Sequence, residues 1–186
     1  MRASSKRKRL YFFLIMLIVA IVATVAGTFV PVDSQTAQQE LNQLNQTVTQ
    51  SQASGTLPEY IFVNNYSITL AMFLPIVGAI FGFYVLFSTG VVLGIELRGQ
   101  DYSGASVAAS SINPVTALLA LAGIAAVFAL EYVSYTVGIG ESIWLFRRIM
   151  QRRWFEVKNT ALLIAICAAL LAVGAVVETL IINAGF

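Results

Sequence analysis

The sequence predicts an all-α integral membrane protein, a transmembrane helical bundle of about five spans with one pair short or re-entrant. Three observations carry that prediction. Apolar residues make up 58% of the 186 positions, only 11% are charged, and the mean hydropathy is +0.81, whereas soluble domains carry about 25% charged residues. All Lys and Arg fall in three places: the N-terminal "MRASSKRKR", Arg98, and "RRIMQRRWFEVK". The stretches between these places are apolar over the ~20 residues that a helix needs to cross a bilayer.

The same composition removes several classes of function. Histidine is absent and Cys167 is the single cysteine. The commonest general base and metal ligand is therefore missing, and neither an internal disulfide nor a cysteine-based zinc site can form. Basic runs often mark nucleic-acid binding. Here each run abuts an apolar segment, so they read as cytoplasmic flanks beside anionic headgroups, with no nucleic-acid partner. The second of them, Arg147, Arg148, Arg152, Arg153 and Lys158, forms a cytoplasmic basic patch.

Residues 1–9 make a cytoplasmic basic tail, and 10–32, "LYFFLIMLIVAIVATVAGTFVPV", the first transmembrane helix. A basic flank before an apolar run also describes a signal peptide, but this run is longer than a usual signal core. Residues 33–60 are polar and lack Lys and Arg, as expected of an extracytoplasmic loop. Within them Ala37, Leu41, Leu44 and Val48 form one amphipathic stripe, suited to lie on the protein's own outer surface or to pair with a partner.

The bundle proper is predicted over 61–186. The stretch "IFVNNYSITLAMFLPIVGAIFGFYVLFSTGVVLGIEL" holds Pro75 and glycines at 78, 82, 90 and 94. Residues 70–97 read as a second span, kinked near Pro75, with Asn64 or Asn65 capping the entering helix. Gly78–Gly82 and Gly90–Gly94 are small-xxx-small pairs for close helix packing, and they sit ~120° apart around a helix, toward different neighbours. The loop "RGQDYSGASVAASS" is then expected inside. The segment 113–148 is flanked on both sides by chain expected in the cytoplasm, so it must cross an even number of times. The preferred reading is a tight pair of short spans or a re-entrant hairpin; the competing reading is one long span, which would strand the five following cations outside. Residues 161–186 form the last span and leave the C-terminus extracytoplasmic.

Charges inside a membrane are costly and mark function or packing. Glu131 and Glu178 each lie ~27 Å up their helices from the inner side. Asn64 and Asn65 enter from the outer face, so the four gather in one polar cluster near Tyr132 and Tyr135. That cluster either binds a partner, ion or headgroup, or caps and cross-links helices. Glu141 is placed to pair with Arg147 or Arg148. No catalytic, cofactor-binding or metal-binding constellation is read, and "VGIGES" lacks the strand and lysine of a phosphate loop.

The order "IFVNN", "STGVVLGIEL", "ALEYVSYTVGIGE" and "AVGAVVETLII" resembles the stage II sporulation protein M family of multi-pass membrane proteins, over roughly 61–186. Asn64, Asn65, Gly90, Gly94, Glu131 and Glu178 stand at positions that the family marks. The chain departs from the family pattern at "AVFALE", where a His-Gly is common, and at Thr89, where an Asn is common. The resemblance implies a non-catalytic membrane scaffold or accessory subunit, since the sporulation protein positions peptidoglycan-degrading enzymes. The alternative is a permease-type subunit using the intramembrane Glu and Asn residues. Expected partners are other membrane subunits or a second copy, and membrane lipids. No cofactor is expected, and the expected place is the cell membrane, N-terminus inside.

Overall fold

The computed structural model describes residues 2–102, 114–152 and 157–185, with side chains for 9–98, 118–152 and 158–185. The described residues form helices joined by turns: α1 (Arg2–Thr28), α2 (Ser34–Ala53), α3 (Leu57–Met72), α4 (Val77–Tyr102), α5 (Pro114–Met150) and α6 (Val157–Asn183). Four of them, α1, α4, α5 and α6, are long and apolar enough to cross a membrane. The all-α membrane bundle predicted from composition is the observed architecture.

Contacts between helices set their directions. Phe12 meets Trp144 edge-on and Tyr132 donates to Thr24, so α1 and α5 are antiparallel. Thr160 pairs with Glu141, Cys167 with the Ser134 carbonyl, and Gly123 with Ile181, so α5 and α6 are antiparallel too. One end of the bundle thus collects Arg9, Arg147 and Arg148, and is called here the basic end. The other, the far end, holds the C-terminal ends of α1 and α6.

The direction of α4 differs from the expectation. Gly90 lies against Thr24 and Gly94 against Thr28, and Arg98 donates to the carbonyls of Thr28 (3.2 Å) and Val30 (2.8 Å). Residue numbers rise together, so α4 runs parallel to α1 and ends at the far end. α3 starts at that same end, where Leu57 and Ile61 cluster with Ala175 of α6. It then descends beside α5: Asn65 reaches Glu131, and the Leu74 carbonyl accepts from Ser142. α3 and α4 therefore form a hairpin whose turn lies near the basic end and whose two open ends lie at the far end.

The turn is local chemistry. Pro75 has no N–H to continue the helix ladder. Ile76 takes a left-handed conformation (φ 63°), and Val77 and Gly78 close the reversal onto the carbonyls of Pro75 and Leu74, at 2.7 and 2.8 Å. Gly78 sits so close to the Met72 carbonyl that any Cβ would collide with it.

Two expectations are corrected by this hairpin. The stretch 70–97 is not one kinked span but the end of α3, a reversal, and α4. The segment 113–148 is not a short or re-entrant pair: Asn113 lies outside the described residues, and residues 114–148 lie in one continuous helix, the 37-residue α5, the form of the competing reading. Its beginning at Pro114 matches the residue's preference for a helix start. Both differences share one cause: a reversal at Pro75 turns the chain once more, which places the start of α5 at the far end and its Arg147 and Arg148 at the basic end. The expected inner loop at 98–111 is corrected as well, since Arg98 is at the far end; its residues 103–111 lie outside the described ones. Asn64 and Asn65 do not cap a helix: α3 begins at Leu57, with Pro58 in its first turn.

α2 lies across the far end. Asp33 caps it, Oδ1 accepting from the N–H groups of Gln35 (3.1 Å) and Thr36 (3.0 Å). Val48 packs on the cluster of Leu57, Ile61 and Ala175, and Gln52 donates to Asn183 at 2.9 Å. The stripe Ala37, Leu41 and Val48 is half-buried and Leu44 is 40% exposed, so the stripe largely rests on the protein itself. The central core is Ala20, Met72, Ala79, Leu86, Tyr135, Ile139 and Leu171, drawn from α1, α3, α4, α5 and α6.

Candidate functional site

Asn65 of α3 donates from Nδ2 to Glu131 Oε1 of α5 at 2.6 Å. The helix around Asn65 is steadied by Thr69, whose hydroxyl bonds the Asn65 carbonyl at 2.7 Å. One turn of α5 carries both Glu131 and Tyr132, and Tyr132 ties that turn to α1 through Thr24 at 2.7 Å. Glu178 of α6 faces Glu131 across a cleft of about 340 Å³ lined also by Glu96, Ile124, Val127, Phe128, Ile181 and Ile182. The cleft lies in the far half of the bundle between α4, α5 and α6.

Of the predicted polar cluster, Asn65, Glu131 and Glu178 come together. Asn64 bonds Asn65 weakly (3.3 Å) but is exposed and lines a separate surface pocket with Ser51, Thr56, Glu59 and Tyr60. Glu96 was missed. Its position near the end of α4 suggested the inner side, and only the reversal at Pro75 brings it level with Glu131. The signal was present in "LPIVG", where Pro75 and Gly78 bracket a turn.

Three half-buried carboxylates thus line one cleft, and no Lys or Arg lines it among the described residues. Their oxygens can accept hydrogen bonds, hold protons or attract a cation one at a time. They do not converge: among the described residues no group of His, Cys, Asp and Glu is close enough to hold one metal ion. Among the described residues the buried serines and the cysteine are committed to the backbone, with Ser134 donating to the Leu130 carbonyl, Ser142 to Leu74 and Cys167 to Ser134.

The packing glycines divide between neighbours. Gly82 faces the Ile139 side chain of α5, while Gly90 and Gly94 lie on the backbone of α1 at Thr24 and Thr28, with Gly27 opposite. Gly78 belongs to the hairpin turn rather than to a helix–helix groove.

At the basic end, Glu141 pairs with Arg148 at 2.8 Å, both side chains 6% exposed, and Thr160 bonds the same oxygen at 2.9 Å. Arg148 therefore leaves the expected surface patch, whereas Arg147, Arg152 and Lys158 are exposed; Arg153 lies outside the described residues. Trp144 has guanidinium groups near its ring centroid from Arg9 (5.2 Å), Arg147 (6.0 Å) and Arg148 (6.0 Å).

Fold and site together define a helical membrane protein with an acidic cleft in the far half of its bundle. Comparison with known protein families, curated proteins and solved structures finds no match.

Proposed function

We propose that the protein is a non-catalytic scaffold or accessory subunit of a larger membrane complex, with the basic end cytoplasmic and the far end, including α2 and the C-terminus, extracytoplasmic. Lys and Arg flank the cytoplasmic ends of membrane helices, which supports this orientation. The observation that carries the reading is α2. It is a 20-residue helix with no buried residue, yet it is held on the bundle by Val48 and by the Gln52–Asn183 bond. A helix fixed on one face and open on the other presents Gln39, Asn42 and Gln46 as a rigid polar platform. The resemblance to the stage II sporulation protein M family points the same way, though a family likeness alone does not establish function.

The test is purification of the full chain from its native membrane in mild detergent, with mass spectrometry of what accompanies it. A stoichiometric membrane or surface enzyme, lost when Gln39, Asn42 and Gln46 are changed together to Arg, is the expected result. Partners unaffected by the triple change would remove α2 from the reading. The acidic cleft supports a second reading, a permease-type subunit in which Asn65, Glu96, Glu131 and Glu178 line a path for a cation or proton. A transport ATPase among the partners, with transport lost in Glu131→Gln while assembly persists, would favour it over the scaffold.

A further inference from the structure

Two triplets of the chain follow the pattern Asn-X-Ser/Thr without proline at X: Asn45-Gln46-Thr47 in α2 and Asn65-Tyr66-Ser67 in α3. Such a triplet is the acceptor for N-linked glycan, the amide being the group modified. The fold separates the two. Asn65 is half-buried, and its amide nitrogen donates to Glu131 Oε1 at 2.6 Å within the bundle. Asn45 is exposed, on a helix with no buried residue. It stands about 60° around α2 from Val48, which rests on the bundle, while Gln39 lies on the side opposite Val48. A bulky group on Asn45 therefore flanks the helix without displacing it or covering Gln39. Residues two apart in a helix do not face each other, so reading the Asn45 amide and the Thr47 hydroxyl together requires this turn to open. The turn opens readily. Asn45, Thr47, Val48 and Thr49 have low helix propensity, and Thr47 gives up only a surface bond to the Gln43 carbonyl, at 2.9 Å.

We propose that Asn45 is an N-glycosylation site, taking an oligosaccharide from a lipid-phosphate carrier through a membrane transferase. The proposal rests on the orientation given above, with the far end extracytoplasmic. In the transfer, Asn45 Nδ2 bonds to the anomeric carbon of the first sugar, and the bond from that carbon to the phosphate oxygen breaks. The amide nitrogen gives up one proton, and the lipid phosphate leaves with the bonding pair. No oxidant or reductant takes part. The glycan adds a bulky, solubilising group to the outer surface of α2, beside its polar platform.

The experiment uses the full chain purified from its native membrane and cut after glutamate. Residues 41–59, holding Asn45, are then released apart from 60–96, which hold Asn65. Mass spectrometry should find most copies of 41–59 carrying a sugar mass and 60–96 carrying none. The sugar should vanish in Asn45→Gln and in Thr47→Ala, which keeps the amide but loses the hydroxyl, and persist in Thr47→Ser. All three changes lie on the surface of α2, and the wild-type peptides decide without them. A sugar on 41–59 that survives Asn45→Gln is attached to a hydroxyl instead and overturns the proposal. So does a sugar on 60–96, because burial would then not select between the triplets. Ser51→Cys, with Cys167 replaced, separates the remaining case. Bare 41–59 with Ser51→Cys labelled by an impermeant thiol reagent on intact cells overturns the glycan alone. Bare 41–59 with labelling only after permeabilisation overturns the orientation as well.

Discussion

Glu141 and Arg148 meet inside the basic end with Thr160 on the same carboxylate oxygen. Removing one member of such a pair leaves a buried charge without its partner, which costs more than replacing both by apolar groups. Arg148→Met is therefore expected to destabilise the protein by about 3–5 kcal/mol, and Glu141→Leu/Arg148→Met to recover most of that. Thermal unfolding in one detergent compares them; a double variant as unstable as the single would mean that the pair is not the cause. Asn65→Leu should cost about 1 kcal/mol through its bond to Glu131, while Glu131→Gln, which keeps an acceptor, should cost less. Asp33 offers a pH readout outside the bundle. Its hydrogen bonds with Thr36, and then with Gln35, hold its carboxyl below the ordinary value. A lowered folded pKa means that the cap supports α2 at neutral pH and that this support fades as pH falls through the folded value. Amide exchange at Gln35 and Thr36 should speed up over that range in the wild type. Asp33→Asn, which keeps the acceptor but cannot titrate, should be flat.

The helix pair α1–α4 depends on the absence of side chains at three points. A Cβ at Gly90 would strike the Thr24 backbone, at Gly94 that of Thr28, and at Gly27 that of Phe87 and Gly90. Backbone cannot move aside as a side chain can. Gly90→Ala should separate the two helices at a cost of about 1–3 kcal/mol. At Gly82 the obstacle is side chain, Cγ1 and Cδ1 of the buried Ile139, which can turn about χ1 where backbone cannot, so Gly82→Ala should cost less than Gly90→Ala. Denaturation midpoints of the two variants check the order, and Gly82→Ala as damaging as Gly90→Ala would contradict the close α1–α4 contact. The α3–α4 hairpin has a different basis. Pro75 interrupts the ladder and Ile76 reverses the chain in a conformation that a β-branched residue seldom adopts, held there by Ser142 on the Leu74 carbonyl.

The arrangement of the whole chain follows from that reversal. α1 rises from the basic end, α3 descends, α4 rises, α5 descends and α6 rises, with α2 across the far end. With Cys167 replaced, Ser51→Cys and Arg98→Cys should react with an impermeant thiol reagent from one side of the membrane and Gln151→Cys from the other. Arg98→Cys reacting together with Gln151→Cys would restore the continuous second span and remove Glu96 from the acidic cleft.

Composition and charge placement by themselves determined that this is an all-α membrane bundle and where its apolar segments lie, because transfer into a bilayer acts on each segment independently of its neighbours. The sequence reading counts Glu131 up from an inner helix start, whereas α5 starts at the far end, and only the packing of α5 on α6 brings Glu131 and Glu178 to one cleft. Glycine spacing in 61–97 likewise indicated packing toward more than one neighbour. Only the tertiary structure decided whether Pro75 bends a helix or reverses it. The left-handed residue there is Ile76, where local preference points to glycine, and the reversal is fixed by contacts with Ser142 and with Met72 that lie far away or across the turn. One unresolved turn inverted every later direction until α5 restored it. That is why the sequence reading places Arg98 at the inner end, and why α5 reads as a pair. The partner of Glu141 was also a tertiary matter: Arg147 and Arg148 are adjacent in sequence, but only Arg148 turns inward toward α6 and Thr160.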